Sequence, residues 1–210
     1  MEDIVLGILL KKSITTSEYK YSSVFSHKEF KRLLNALAQK DYCTYVHSLY
    51  VVHYATIISK ALNLSDLIIE DIILGGWLHD IGKLFIPNNI LQKKCKLTHE
   101  EYEFIKIHVE YGVRILSEYD FHDSVKTIVK LHHEKYDGSG YPYGISEKDT
   151  PLEAKIIQVA DACSAMTICR AYRASMPFHA ILHEIERNSG TQFDPNIVDT
   201  LKMSLNHKSI

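Results

Sequence analysis

The chain has 210 residues, of which 46% are hydrophobic and 24% are charged, and its formal net charge is −2. These values are typical of one globular domain, and the near-neutral charge excludes a general binder of nucleic-acid polymers, which is usually basic. The apolar stretch 4–10 is too short to span a bilayer, so we expect no membrane segment. Four cysteines without a CxxC pair indicate reduced thiols and a cytoplasmic protein.

Helix signals dominate the chain from residue 26 onward. Polar capping residues, among them Asp41, Ser65 and Thr98, stand before most of the apolar-periodic runs. The predicted helices begin at about 26, run from 41 to 62, from 67 to 80, from 98 to 117, from 123 to 134 and from 151 to 170, and begin again at 195. Strand patterns are scarce and no repeat is visible. We therefore expect a single all-α domain over residues 26–205, preceded by a short extension, residues 1–25.

Two segments place ligand-type side chains among apolar residues. His79 and Asp80 end the apolar run 67–80, and burying them is costly unless they are paired or bind a metal ion. A polar finish to the helix is the plain alternative. His132 and His133 end another predicted helix, where adjacent side chains point about 100° apart and cannot both face one core. Two metal ions lying side by side would accept both diverging imidazoles.

Three further residues extend this candidate metal cluster. His47, His108 and Asp161 each lie in a predicted helix beside apolar residues, although a core histidine or a hydrogen-bonded buried aspartate would also explain each one. Together the candidates offer imidazoles and carboxylates without a thiolate, a ligand set that favours iron, manganese or zinc. Two ions sharing a carboxylate, about 3.5–4 Å apart, would form a two-metal hydrolase centre.

Five motifs occur in order along the chain: HDIGK at 79–83, HVEYG at 108–112, HHEKYDGSGYP at 132–142, VAD at 159–161 and RAYR at 170–173. In residues and spacing they resemble the HD-GYP family, a branch of the HD phosphohydrolase superfamily. The resemblance covers roughly residues 41–205. It implies a single HD-type helical domain with a buried metal cluster. It also implies hydrolysis of cyclic di-GMP, a bacterial second messenger, by a metal-bridging hydroxide.

The resemblance assigns a role to each candidate ligand. It implies two divalent ions, iron or manganese, with Asp80 as a catalytic residue that bridges them. The remaining ligands would be divided between the ions: His108, His132 and His133 on one, and His47, His79 and Asp161 on the other. Lys83 would be catalytic and substrate-binding, because it follows His79 by one turn and can reach the scissile phosphate. Without the family, Lys83 is an ordinary surface cation.

Three more positions are implied to bind substrate. Arg170 and Arg173 match a family pair that grips phosphate, a task that suits the bidentate hydrogen bonds of arginine. Tyr141 would bring its ring to a guanine face, with Gly138 and Gly140 permitting the loop shape this requires. Without the family, the arginines would be surface cations and the glycine loop a plain turn that caps the helix.

Several positions depart from the family pattern without removing a ligand. Tyr50 stands where the family has arginine, and Cys163 and Ser164 replace a Tyr-Asp pair, which puts the support of the ligands in question. Cys43 stands, one turn before His47, where family members with a third ion carry glutamate. We expect its thiol to pack against an apolar face. We therefore expect two ions and a linear product, pGpG, with slow or no conversion to GMP.

Two other functions remain open at this point. One is hydrolysis of another cyclic dinucleotide or of a nucleotide, and the other is a non-catalytic cyclic di-GMP receptor or interaction module with a vestigial cluster. Retention of seven costly ligand residues argues against a vestigial site, and Tyr141 with the arginine pair favours cyclic di-GMP more weakly. Residues 1–25 leave no room for an attached sensor domain, so we expect any regulation to involve a homodimer or a partner protein.

Overall fold

The computed structural model describes residues 28–167 and 176–206, and these residues are largely helical. They contain ten α-helices and one 3-10 helix, in this order: α1 (Lys28–Lys40), α2 (Tyr42–Ala61), α3 (Asp66–Leu78), the 3-10 helix (Ile81–Phe85), α4 (Asn88–Leu91), α5 (His99–Lys106), α6 (His108–Ser117), α7 (Asp123–Leu131), α8 (Leu152–Thr167), α9 (Phe178–Arg187) and α10 (Pro195–Asn206). The described residues form no strand, and one isolated bridge joins Ser189 to Phe193. The predicted all-α class is confirmed.

Helices α2 and α3 form the centre of the domain. They pack against each other and both contact α8, while α3 also contacts α7. One apolar cluster, which includes Ile58 and Ile157, lies between α2, α8, α9 and α10. A second cluster, which includes Phe30 and Ile73, lies between α1, α2, α3 and α7. Because full burial of one such side chain contributes about 1.5–3 kcal/mol, these clusters fix α2 and α3 firmly.

The predicted caps set the beginnings of two helices. Asp41 accepts a hydrogen bond from the backbone nitrogen of Cys43 at 3.3 Å and starts α2. Thr98 and Glu101 bond each other's backbone nitrogens in a reciprocal capping box that starts α5. Ser65 also precedes α3, but its side chain makes no capping hydrogen bond. Local sequence therefore determines where α2 and α5 begin, whereas burial is the stronger influence on α3.

Two predicted helix boundaries are wrong, and both lie at the candidate site. The helix predicted over 98–117 is divided at Ile107 into α5 and α6, so that His108 begins a helix instead of lying inside one. The helix predicted over 123–134 ends at Leu131, and the histidine pair follows it. The two rings lie with their centroids 4.0 Å apart and face one site, so the expectation that they cannot do so is wrong.

Helix α9 was not predicted. It follows Pro177 and has no side-chain capping hydrogen bond, so the usual polar start signal is missing. Ile181 and Ile185, one turn apart, are buried and show the apolar period that sequence inspection could have used. The predicted extension 1–25 and the predicted helix end at 170 lie outside the described residues. None of the described helices is both long and apolar enough to cross a membrane.

Candidate metal centre

The structure brings all seven predicted ligand residues together, although they come from separate helices. Six of them form two groups, and the ligand atoms within each group lie within 4.8 Å of one another. The first group is His108, His132 and His133, and the second is His47, His79 and Asp80. Asp161 on α8 adjoins the second group, with its Oδ1 atom 2.9 Å from Nε2 of His47. Only the folded chain can assemble this arrangement.

Asp80 lies between the two groups. Its Oδ1 atom is 3.3 Å from Nε2 of His108, and its Oδ2 atom is 3.2 Å from Nε2 of His79. Burial by itself would raise the pKa of this carboxyl, but Lys83 and the neighbouring histidines outweigh burial and hold the pKa well below its usual value. One ionised oxygen facing each group is the arrangement that a carboxylate shared by two cations requires.

Three imidazoles are oriented by backbone carbonyls in the last turn of a helix. His79, His108 and His132 each donate the Nδ1 hydrogen to the carbonyl oxygen three residues earlier, over 2.8–2.9 Å. A carbonyl oxygen can only accept, so in these rings the proton lies on Nδ1 and a lone pair lies on Nε2. Each ring therefore presents the unprotonated nitrogen that a metal ion needs.

These lone pairs converge on one another. Nε2 of His108 and Nε2 of His132 are 3.4 Å apart, and neither carries a hydrogen to share in this tautomer. Nε2 of His79 is buried and has no hydrogen-bond partner among the described residues. Facing lone pairs and an orphaned buried nitrogen are unfavourable, and a cation among them would remove the conflict. The residues present therefore fit a metal centre with nitrogen and oxygen ligands, as iron, manganese or zinc prefer.

Burial keeps most of these imidazoles neutral. It lowers the pKa of His108 to about 4 and that of His133 to about 3. Burial, together with the neighbouring His133, also lowers the pKa of His132 well below its usual value. For His79, burial acts to lower the pKa, but the charge of Asp80 outweighs it and the pKa is raised. Neutral imidazole is the form that binds metal, so His108, His132 and His133 are ready to do so at neutral pH.

Lys83 lies in the 3-10 helix directly beside Asp80. Its Nζ atom is 2.6 Å from Oδ2 of Asp80, and the lysine side chain is 18% exposed. Gly82 allows this approach, because a Cβ atom at that position would lie 1.8 Å from the carbonyl oxygen of His108 and 2.5 Å from the backbone nitrogen of Gly112. A side chain at Gly82 would push the 3-10 helix away from α6 and carry Asp80 and Lys83 with it.

Tyr141 contacts the first ligand group. Its ring stacks on the ring of His133, with centroids 4.5 Å apart and planes inclined by 27°. The Nζ atom of Lys106 lies 5.2 Å from the Tyr141 centroid and 4.9 Å from that of Tyr102. The family resemblance implied that the Tyr141 ring meets a guanine face. It did not predict the ring contact with His133.

Glu134 is a site residue that the sequence analysis missed. Its carboxylate is buried and accepts hydrogen bonds from the backbone nitrogens of Tyr143 at 2.7 Å and Ile145 at 3.2 Å. Gly140 completes the fold of this loop, since an added Cβ would lie 2.5 Å from the carbonyl oxygen of His133. Glu134 therefore ties the glycine loop to the histidine pair. A carboxylate directly after two candidate ligands was the signal that could have identified it.

Three further positions were named from the sequence. Arg170 and Arg173, the predicted phosphate-binding pair, lie outside the described residues. Cys43 is solvent-exposed, and among the described residues its thiol belongs to neither group. The expectation that this thiol packs against an apolar face is therefore wrong, because Cys43 and the neighbouring Tyr42 are exposed.

Fold and site together define a class: a helical domain with a buried histidine–carboxylate cluster suited to binding metal. The chain belongs to the HD domain family, which matches residues 26–197, and the predicted HD-GYP resemblance is confirmed by its relatives.

Two curated relatives and one solved structure are similar to this chain. The chain is 36% identical over 179 residues to a cyclic di-GMP phosphodiesterase of Thermotoga maritima, covering 81% of this chain and 47% of the relative. It is 36% identical over 160 residues to 3'3'-cGAMP-specific phosphodiesterase 3 of Vibrio cholerae, covering 76% and 35%. An HDG"Y"P protein from Bdellovibrio bacteriovorus shares the fold, with a TM-score of 0.63 at 22% identity over 77% of this chain and 52% of that one. The chain thus spans less than half the length of these two curated relatives.

Proposed function

We propose that this chain is a metal-dependent phosphodiesterase that hydrolyses cyclic di-GMP. The observation that carries this proposal is the position of Asp80, whose two oxygens lie 3.3 Å and 3.2 Å from one histidine of each ligand group. Two adjacent divalent ions that share a carboxylate are a recurring arrangement for phosphodiester hydrolysis. The relative from Thermotoga maritima, a cyclic di-GMP phosphodiesterase at 36% identity, supports the choice of substrate.

The seven ligand residues would hold two ions, iron or manganese. His108, His132 and His133 would hold one, and His47, His79 and Asp161 the other, with Asp80 shared. When bound, the ions supply activation of water and neutralisation of the charge that develops on the phosphate. The protein's own contribution is to present unprotonated nitrogens and ionised oxygens in a buried site, where water does not compete for them.

Lys83 and the substrate-binding residues would act on the phosphate and the base. Lys83 now pairs with Asp80 at 2.6 Å, and engagement of Asp80 by the ions would leave its ammonium group available to a phosphate oxygen. Arg170 and Arg173 would grip phosphate by bidentate hydrogen bonds. Tyr141 would meet a guanine ring at the mouth of the site, on a loop that Glu134 holds in place.

We propose two ions and a linear dinucleotide, pGpG, as the main product. Exposure of Cys43, outside both ligand groups of the described residues, supports the absence of a third ion at that position. With two ions at a single site, one phosphodiester is activated at a time, so the second cleavage to GMP would be slow or absent.

A second candidate substrate is 3'3'-cGAMP. The relative from Vibrio cholerae that is specific for it is also 36% identical to this chain. Both substrates present the same cyclic phosphodiester and differ in one base, so the metal centre cannot distinguish them. A non-catalytic receptor is disfavoured, because the structure gathers seven costly polar residues into one site.

The test is a product assay on metal-free protein reloaded with iron(II) or manganese(II) under reducing conditions. Cyclic di-GMP, 3'3'-cGAMP, cyclic di-AMP and a mononucleotide are supplied in parallel, and the products are separated by chromatography. We expect the fastest hydrolysis with cyclic di-GMP, yielding pGpG. Faster hydrolysis of 3'3'-cGAMP would transfer the assignment to that substrate. Full metal loading without any hydrolysis would favour the receptor function.

A further inference from the structure

His47 is placed differently from the histidines at the helix ends. It lies inside α2, where backbone carbonyls take part in the hydrogen bonds of the helix. The carbonyl three residues earlier, on Thr44, also accepts the hydroxyl of Ser48 at 3.1 Å. His79 and His132 are oriented by a hydrogen bond from Nδ1 to the carbonyl three residues earlier, and His47 cannot form that bond. Its Nδ1 hydrogen therefore needs an acceptor from another helix.

Ser164 on α8 provides that acceptor. Its Oγ atom is 2.7 Å from Nδ1 of His47 and 3.0 Å from the carbonyl oxygen of the same histidine. The single hydroxyl hydrogen is donated to the carbonyl, so Oγ accepts the hydrogen on Nδ1. The serine is fully buried, which keeps water from competing for either bond. Both the ring orientation and the tautomer of His47 are thereby fixed.

The consequence lies at the other ring nitrogen. With the hydrogen on Nδ1, Nε2 of His47 presents a lone pair, 2.9 Å from Oδ1 of Asp161 and 3.9 Å from Oδ2 of Asp80. A nitrogen lone pair and two carboxylate oxygens pointing into one volume suit a cation. If the Ser164 hydroxyl is removed, the ring loses the Nδ1 acceptor that the described part of the chain provides, and it can rotate or change tautomer.

We propose that Ser164 is a positioning residue for the ion held by His47, His79 and Asp161. This inference rests on the metal centre proposed above. It predicts an asymmetry between the two ions, because His108 and His132 are oriented by the carbonyls of Ile105 and Val129 and do not depend on Ser164. Loss of the serine hydroxyl should weaken the binding of one ion and leave the affinity for the other unchanged.

The full chain is first treated with a chelator and then titrated with manganese(II). Calorimetry and a spectroscopic measurement of free manganese monitor the binding. The original chain should bind two ions. Ser164→Ala should bind the first ion with unchanged affinity and the second about 10- to 100-fold more weakly. Ser164→Thr keeps a hydroxyl and should restore the second ion. Ser59→Ala is the matched control, since Ser59 is equally buried and its hydroxyl donates to a carbonyl of its own helix, on Ala55.

Each remaining outcome counts against the inference. Two ions bound by Ser164→Ala with the original affinities would overturn the role of Ser164 and leave the proposed function standing. Equal weakening of both ions would overturn it as well, because it would indicate general damage to the fold. Loss of the second ion in Ser164→Thr would show that the hydroxyl is not what matters. Absence of metal binding in the original chain would overturn the proposed centre and this inference together.

Discussion

The candidate centre has two halves, which are built in different ways. The first half is the first ligand group, and the second half is the second ligand group together with Asp161. His108 and His132, 24 residues apart, stand at helix ends, and each is oriented by the carbonyl three residues earlier. His47 lies inside a helix and depends on Ser164 and Asp161, on a helix more than a hundred residues later. The first half therefore needs only correct helix ends, whereas the second needs α2 and α8 to be packed together. Substitutions that loosen the core should therefore weaken metal binding at the second half before they affect the first.

The largest expected effect is at Asp80, where the halves meet. Asp80→Ala should abolish hydrolysis and release at least one ion, because it removes the carboxylate that faces both groups. Activity and bound metal are measured on the same preparation. Asp123→Ala is the control, since that aspartate is 95% exposed. Near-full activity of Asp80→Ala would show that the two halves do not share a carboxylate.

Substitution of Lys83, which pairs with Asp80, tests whether this lysine acts on the substrate or on the ions. Lys83→Ala should lower the hydrolysis rate by about 10²–10³, as expected for loss of one electrostatic donor to the transition state, while the metal content stays the same. Lys126→Ala is a matched control, because Lys126 pairs with Asp123 at the same spacing as Lys83 with Asp80, but away from the site. Metal loss in Lys83→Ala would give the lysine a structural role.

Tyr141 tests what the first half does beyond holding an ion. Tyr141→Ala should weaken cyclic di-GMP binding by about 1–3 kcal/mol, the usual contribution of a ring stacked on a base. Its effect on a small generic phosphodiester should be smaller, and Tyr141→Phe should behave like the original chain. Equal losses on both substrates would mean that the ring mainly supports His133, on which it stacks.

The smallest expected effect is a pH dependence of the metal-free fold. Folding lowers the pKa of His108 to about 4 and of His133 to about 3, from a usual value of 6.5. Between these values the unfolded chain binds more protons, so stability should fall as the pH falls from about 6.5 toward 4. His79 opposes this trend, because its pKa is raised.

Urea unfolding of chelator-treated protein at pH 7 and pH 5 measures this effect. The midpoint should be lower at pH 5. Added manganese should raise the midpoint at both pH values, but by less at pH 5, because protons compete with the ion for the imidazoles. Identical midpoints at the two pH values would show that the imidazoles are not held neutral by burial.

Much of the scaffold and the ligand set was readable from the sequence. Asp41 and Thr98 marked helix starts because capping is a local interaction. His79, Asp80 and His132 were conspicuous because polar groups beside apolar runs demand a partner. Such signals need only a few neighbouring residues, and the structure shows these side chains gathered in one place.

The supporting contacts were not readable in the same way. Ser164 was noticed only as a missing acid, because its bond to His47 spans 117 positions. Glu134 bonds backbone nitrogens that no side-chain pattern reveals. The division of a predicted helix at Ile107 arises where the chain approaches the 3-10 helix through Gly82. These features depend on tertiary packing, which local periodicity does not encode.

The central claim is that two differently built halves each hold one ion and share Asp80. A crystal structure of protein loaded with iron or manganese under reducing conditions, with anomalous scattering to locate the ions, tests this claim most directly. The account predicts two ions, one among the first ligand group and one beside His47, His79 and Asp161, with a carboxylate oxygen of Asp80 on each. Three ions, with or without Cys43 as a ligand, or two ions on one group alone, would contradict it.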